Sequence, residues 1–201
     1  MIEILILFAG GALIVCGRTS LVVVAYVAIA FVATWSQLPA STSTLAASLL
    51  IVSALLKLGV APLGVWLFAR RNVEARDLRP SFTIPLRLLI VLALVAAAKT
   101  ASAMPGFSPF PGIDIGLFVV LCALGMLIVQ RSLLANLLGL LALGEGVTLS
   151  GAAFAPTLPE SVELGATFDV LVVTFIGLAI ARAFLVHNPL LDIESLRRLR
   201  G

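Results

Sequence analysis

Polar positions are so sparse along this chain that the gaps between them define its architecture. Apolar stretches run over 2–17, 20–38, 44–69, 84–104, 113–130, 133–153 and 161–185. A transmembrane helix needs about 20 apolar residues, whereas a transmembrane strand is shorter and alternates with period two. These runs are too long for strands and lack that alternation, so each reads as a spanning helix. The first is short and needs its ends extended or a thinned bilayer. The pattern therefore predicts an all-α, polytopic membrane protein with seven transmembrane helices. Between spans, Pro105-Gly106-Phe107-Ser108-Pro109-Phe110-Pro111-Gly112 reads as a rigid turn. Beyond the last span, Asn188-Pro189 has the form of an N-cap and first-turn proline. Ile193, Leu196 and Leu199 then give a short surface helix one apolar face, opposite arginines.

Composition agrees and adds exclusions. The 201 residues are 61% hydrophobic and 11% charged. A soluble domain carries about 25% charged residues, so a soluble enzyme, a disordered tail and a disulfide-stapled secreted domain are all excluded. Charge placement then gives orientation. Arg18 lies between the first two spans, Arg70, Arg71, Arg76 and Arg79 between the third and fourth, and Arg131 between the fifth and sixth. Arg182, Arg197, Arg198 and Arg200 close the last span or follow it, and Arg87 opens the fourth, where it is expected to snorkel. The loops 39–43, 105–112 and 154–160 hold no Lys or Arg. By the positive-inside rule the N-terminus is outside and the C-terminus cytoplasmic. The net charge of +3 then reflects cytoplasmic arginines rather than a nucleic-acid partner. Trp35 and Trp66 fall near opposite ends of their spans, as interfacial anchors do. Glu3, with no basic residue before the first apolar run, argues against a signal peptide, and Val15 is too bulky to precede a lipoprotein cysteine at Cys16. Cys16 and Cys122 read as packing residues, and with His187 they make no metal site.

Away from the span ends, four charged residues fall inside the spans: Lys57, Lys99, Glu145 and Asp169. Lys or Asp at mid-helix costs about 2.5–3.5 kcal/mol on insertion scales and faces a bundle interior or a water-filled path. At about 1.5 Å per residue, Glu145 and Asp169 each lie roughly 12 Å from the outer ends of consecutive antiparallel helices. They share a depth and are able to face each other. Lys57 is mid-span, and Pro62 five residues on removes a backbone donor and loosens that helix beside it. Lys99 is close to the outer end of its span and is expected to snorkel outward more than to join the others. Low dielectric disfavours charge on either kind of group, so a chain of them passes protons more readily than in water. The alternative is a structural ion pair, Lys57 with either acid, holding the bundle together. Gly139, Gly144, Gly146 and Gly151 flank Glu145 and suit close helix packing. Tyr26, Gln130 and Asn136 read as interface or packing residues, and Glu160 and Glu163 as solvated.

A weak internal repeat accompanies these charges. Leu13-Ile14-Val15-Cys16-Gly17-Arg18-Thr19-Ser20-Leu21 is similar to Leu127-Ile128-Val129-Gln130-Arg131-Ser132-Leu133, with one gap, and both sit at inner hairpins. Spans one to three and five to seven then read as parallel three-helix repeats, with the fourth as linker. Chance similarity in so apolar a chain is the alternative.

The region from Ile128 to Gly201 resembles the hydrogenase-4 component E family, membrane subunits of formate hydrogenlyase-type complexes. The matching features are Gln130-Arg131-Ser132-Leu133, Gly144-Glu145-Gly146, Pro159-Glu160-Ser161-Val162-Glu163-Leu164-Gly165, Thr167-Phe168-Asp169 and Leu191-Asp192-Ile193-Glu194-Ser195-Leu196 with the final Gly201. Upstream, Lys57 with Pro62-Leu63 looks like the family's third helix. The last three helices also look like the K subunit of respiratory complex I and the C subunit of Mrp-type antiporters, which carry a membrane glutamate in each of two consecutive helices. Those positions fall here at Leu141 and Val173. Glu145 is one turn later and Asp169 one turn earlier, so the pair is displaced together toward the outer side by about 5 Å. Gly146 stands where the family suggests an asparagine.

The resemblance divides the chain into a four-helix part over 1–104, a K-subunit-like part over 113–185 and a cytoplasmic tail over 186–201. It implies a multi-pass subunit of a bacterial or archaeal inner membrane, in contact with lipids, antiporter-like membrane subunits and redox-arm subunits. The chain has no cluster motif, nucleotide loop or catalytic centre of its own. Iron–sulfur clusters and NiFe or other redox centres are expected in the partner subunits. Lys57, Glu145 and Asp169 are the expected proton path, with Lys99 as a fourth candidate. Two rivals stay open: a subunit of a Mrp-type cation/proton antiporter without a redox partner, and a purely structural membrane scaffold.

Overall fold

The computed structural model describes residues 2–37, 44–72, 78, 81–107, 110, 112–154 and 160–187. The expected tail helix, Arg76, Arg79 and most of the loops 39–43 and 154–160 lie outside these residues. Among the described residues every regular element is helical: α1 (Ile2–Val15), α2 (Thr19–Gln37), α3 (Thr44–Leu55), a π-helical segment (Leu56–Val60), α4 (Ala61–Arg71), α5 (Ile84–Ser102), α6 (Ile113–Val129), α7 (Leu133–Phe154) and α8 (Glu160–His187). Each predicted apolar run corresponds to one helix or, for the third, to the unbroken α3–π–α4 stretch. Five helical stretches are long and apolar enough to cross a membrane: Thr19–Ser36, Ile51–Arg71, Ile84–Ser102, Leu133–Phe154 and Gly165–Ala183. Ile2–Val15 and Ile113–Val129 are apolar but shorter.

Local chemistry sets several boundaries. Thr83 is extended before α5, and Pro85 fills the first turn, where its missing N–H costs nothing. Gly112 precedes α6 with φ 83, a left-handed conformation that a side chain would resist. The sharpest packing constraint joins α6 to α7. A Cβ on Gly116 would lie 2.6 Å from the backbone nitrogen of Ser150, one on Gly146 2.8 Å from that of Val120, and one on Gly139 2.9 Å from Leu127 Cδ2. Hydrogen at these positions lets the two backbones approach. An asparagine at Gly146, the residue the resemblance suggests, would force α6 away. Gly144, by contrast, faces open space.

Around this pair the bundle closes with evident order. α1 packs on α6, α2 on α7, and α3, the π segment and α4 on α8. α5 stands to one side, against α1 and α6. Members of the two suggested repeats therefore meet as counterparts, with α5 outside the scheme as a linker would be.

The two similar hairpins also meet. The Gln130 side-chain amide donates to the carbonyls of Ile14 at 3.4 Å and Cys16 at 3.2 Å. Arg87 Nη1 donates to the Val15 carbonyl at 2.6 Å. The loop before α5 joins in through Leu78 N–H to Gly17 O and Ser81 N–H to Val129 O, and Arg131 Nε donates to Ser81 Oγ at 2.7 Å. These bonds satisfy carbonyls that the end of α1 leaves without helical donors, with a cation at the negative end of its dipole. Arg87 is 5% exposed, so it does not snorkel to water as its position suggested. A backbone acceptor within reach outcompetes the longer route to solvent. Gln130 likewise serves as a cap rather than a packing residue.

Candidate functional site

The helical stretch holding Lys57 cannot be regular. Pro62 has no N–H to give to the carbonyl one turn back, and the helix answers by widening. Ala61 N–H donates to Leu56 O, five residues back, which makes Leu56–Val60 a π turn. Lys57 is its second residue and is 2% exposed. The expected loosening beside the lysine thus takes the form of one wide turn, after which the helix continues through Arg71. Lys57 sits roughly 20 Å from either end of the Thr44–Arg71 stretch at about 1.5 Å per residue.

Glu145 meets it from α7. Its position on the α7 face shared with Leu138, Leu141 and Leu149 turns it inward, and it is 1% exposed. Lys57 Nζ lies 3.8 Å from Glu145 Oε2. The separation is within ion-pair range and longer than a direct hydrogen bond. Of the two pairings anticipated for Lys57, the structure contains the one with Glu145.

Further polar groups extend the pair on both sides. Tyr26 of α2 is completely buried, and its hydroxyl is within electrostatic reach of the Glu145 carboxylate. That hydroxyl has no hydrogen-bond partner among the described residues. On the other side, Ser53 lies one turn before Lys57 on the same helix face. Its Oγ is 2.6 Å from Thr167 Oγ1 of α8, and both residues are buried. Tyr26 lies roughly 10 Å from the arginine-rich end of α2, Lys57 near mid-depth, and Thr167 roughly 10 Å from the opposite end at Glu160. The buried polar groups therefore form a sequence along the bundle: Tyr26, Glu145, Lys57, then Ser53 with Thr167.

The other expected members stand apart. Asp169 is exposed on α8, two residues and about 200° around the helix from the inward-facing Thr167. It shares the depth expected from the sequence without facing Glu145. Lys99 is 60% exposed and pairs with Asp114 of α6, across the α5–α6 connection. Its outward direction matches the snorkelling expected of it. The sequence reads Tyr26 as a packing residue and Thr167 only as part of a motif, and it gives Ser53 no role. The available signal was Ser53 at i−4 from Lys57 and Thr167 beside Asp169.

Among the described residues no three His, Cys, Asp or Glu side chains gather as a metal site. Cys16 and Cys122 are free thiols, the second fully buried. No protein-family model, curated protein or solved structure matches this chain.

Proposed function

We propose that this chain is a seven-span membrane subunit of an ion-translocating complex of the hydrogenase-4 kind, in which Lys57 and Glu145 carry part of the proton path. The buried Lys57–Glu145 pair at mid-helix is the observation that supports this reading most directly. The family name rests on the resemblance of the last 75 residues, and the orientation, N-terminus outside, rests on the arginine distribution. Redox chemistry and its iron–sulfur and NiFe centres belong to the partner subunits in this reading, and the membrane is the inner membrane of a bacterium or archaeon.

The geometry suggests how the pair works. A proton reaching Glu145 cancels its negative charge and removes the attraction that holds Lys57. The ammonium then has a reason to leave, and the π turn supplies slack for the movement. Ser53 and Thr167 offer hydroxyl oxygens one turn further along the same face. Return of Lys57 expels the proton from Glu145. Tyr26 stands on the other side of Glu145, where it can pass or orient the incoming proton.

The test is proton transfer in vesicles reconstituted with the intact complex. Glu145→Gln keeps size and hydrogen bonding but not charge, and should lower transfer at least about tenfold with assembly unchanged. Unchanged transfer would remove the relay. Loss of assembly in both Glu145→Gln and Glu145→Asp would favour the structural ion pair instead.

A further inference from the structure

Asp169 occupies a place where nothing among the described residues accounts for it. It lies in an exposed stripe of α8 with Phe168, Phe175, Ile176 and Ala179, residues that recur at helical spacing. Phe168, Phe175 and Ile176 are 67%, 66% and 56% exposed. The opposite face, with Thr167, Val170 and Thr174, is buried in the bundle. An apolar stripe alone would suit lipid. A carboxylate in its midst does not, since charged groups in spans face protein or water. Asp169 makes no ion pair or hydrogen bond among the described residues. It is six residues, about 9 Å along the helix, from Glu163, the nearest residue read as solvated, and its side chain is too short to snorkel that far.

We infer that the Asp169 face of α8 docks onto a transmembrane helix of a different subunit, one that presents a lysine or arginine to Asp169 inside the membrane. The inference rests on the reading that this chain spans the membrane within a complex. Charge selects the occupant. A second copy in the same orientation offers its groups at the same depths. Among the described residues its exposed cations within the helical stretches are Lys99, which pairs with Asp114, Arg70 and Arg71 at the end of α4, and Arg182, about 20 Å further along α8. Lys99 is already paired and the arginines lie at the far ends of their helices, and a two-fold contact through this face would set Asp169 against Asp169. Lipid acyl chains offer no countercharge at all. A cationic span from another subunit satisfies the carboxylate and covers the flanking aromatic rings together.

The experiment places a photo-crosslinking benzoylphenylalanine at Phe168, and separately at Phe175, of the full chain in membranes containing its complex. Both positions should link to one membrane protein, within a span that carries Lys or Arg. Asp169→Lys should lower that yield about tenfold, and replacing the partner's cation with Asp should restore it. Links only to lipid, to a second copy, or to a span without Lys or Arg would overturn the inference. An Asp169→Lys chain that links as well as the parent would also overturn it. If Asp169→Lys fails to accumulate, Asp169→Asn gives the same reading: a severalfold loss of linkage supports the contact, and parental linkage refutes it. Crosslinking needs no proton transfer. A normally conducting Glu145→Gln variant would thus defeat the proton path and leave this result standing.

Discussion

At the residue scale the energetics centre on two charges that are tolerable only together. A buried ion pair contributes little net stability, but deleting one partner leaves the other charge in low dielectric and costs about 3–5 kcal/mol. Lys57→Met should therefore lower the melting temperature in detergent sharply, whereas the double variant Lys57→Met with Glu145→Leu should recover most of the loss. Simple addition of the two single effects would mean that the 3.8 Å contact carries no coupling. Tyr26→Phe should behave differently. Removing a hydroxyl that has no partner among the described residues costs little stability, while proton transfer should fall severalfold in vesicles that assemble normally. Lys57 and Glu145 were legible in the sequence because charge inside an apolar run must find a partner or water. The direction of Asp169 was not. A membrane helix is apolar on nearly every side, so the pattern gives its depth and withholds its face. Tyr26 reads as a packing residue for the same reason, as one more large side chain in an apolar run.

At the element scale, the π turn and the α6–α7 contact are the two places where backbone geometry sets side-chain position. Pro62 was readable as a disturbance near Lys57, but its form depends on which carbonyl gains a more distant donor, and no local pattern encodes that choice. One extra residue in a turn rotates the preceding helix by about 100° relative to the following one. Ser53 at the end of α3 and Lys57 at the start of the wide turn share one face, which aims them at their partners on α8 and α7. Pro62→Ala returns a donor and lets the regular ladder compete. Amide exchange over 57–61 should slow and proton transfer should fall, whereas unchanged exchange would mean that packing with α8, not the proline, holds the turn open. The α6–α7 contact gives a plainer expectation. Gly146→Asn sets a side chain against the Val120 backbone and should destabilise the protein by about 1–3 kcal/mol in thermal unfolding.

At the scale of the whole molecule, two short helices decide whether the topology is complete. α1 has 14 residues and α6 has 17, about 21 Å and 26 Å against a hydrocarbon core of about 30 Å. They pack on each other, so their shortfalls coincide in one place instead of thinning the bilayer twice. Arg87 and Gln130 tie the end of α1 to the arginine-rich end of the bundle. The shortfall therefore falls at the opposite end, beside the connection from α5 to α6. There Phe107 and Phe110 pack on Phe154, with ring centroids 5.9 and 4.6 Å apart, and give the short helices an aromatic cover at interface depth. Such a cover is consistent with seven spans, and labelling can test it. With Cys16 and Cys122 replaced by alanine, Gly106→Cys meets nothing within 4 Å and should react with an impermeant maleimide on intact cells. Asn72→Cys, at the end of α4, should react only after the membrane is opened. Reversed reactivity would invert the orientation drawn from the arginines. Reaction of both from one side would mean that α5, the helix joining them, does not cross, and the count would drop below seven.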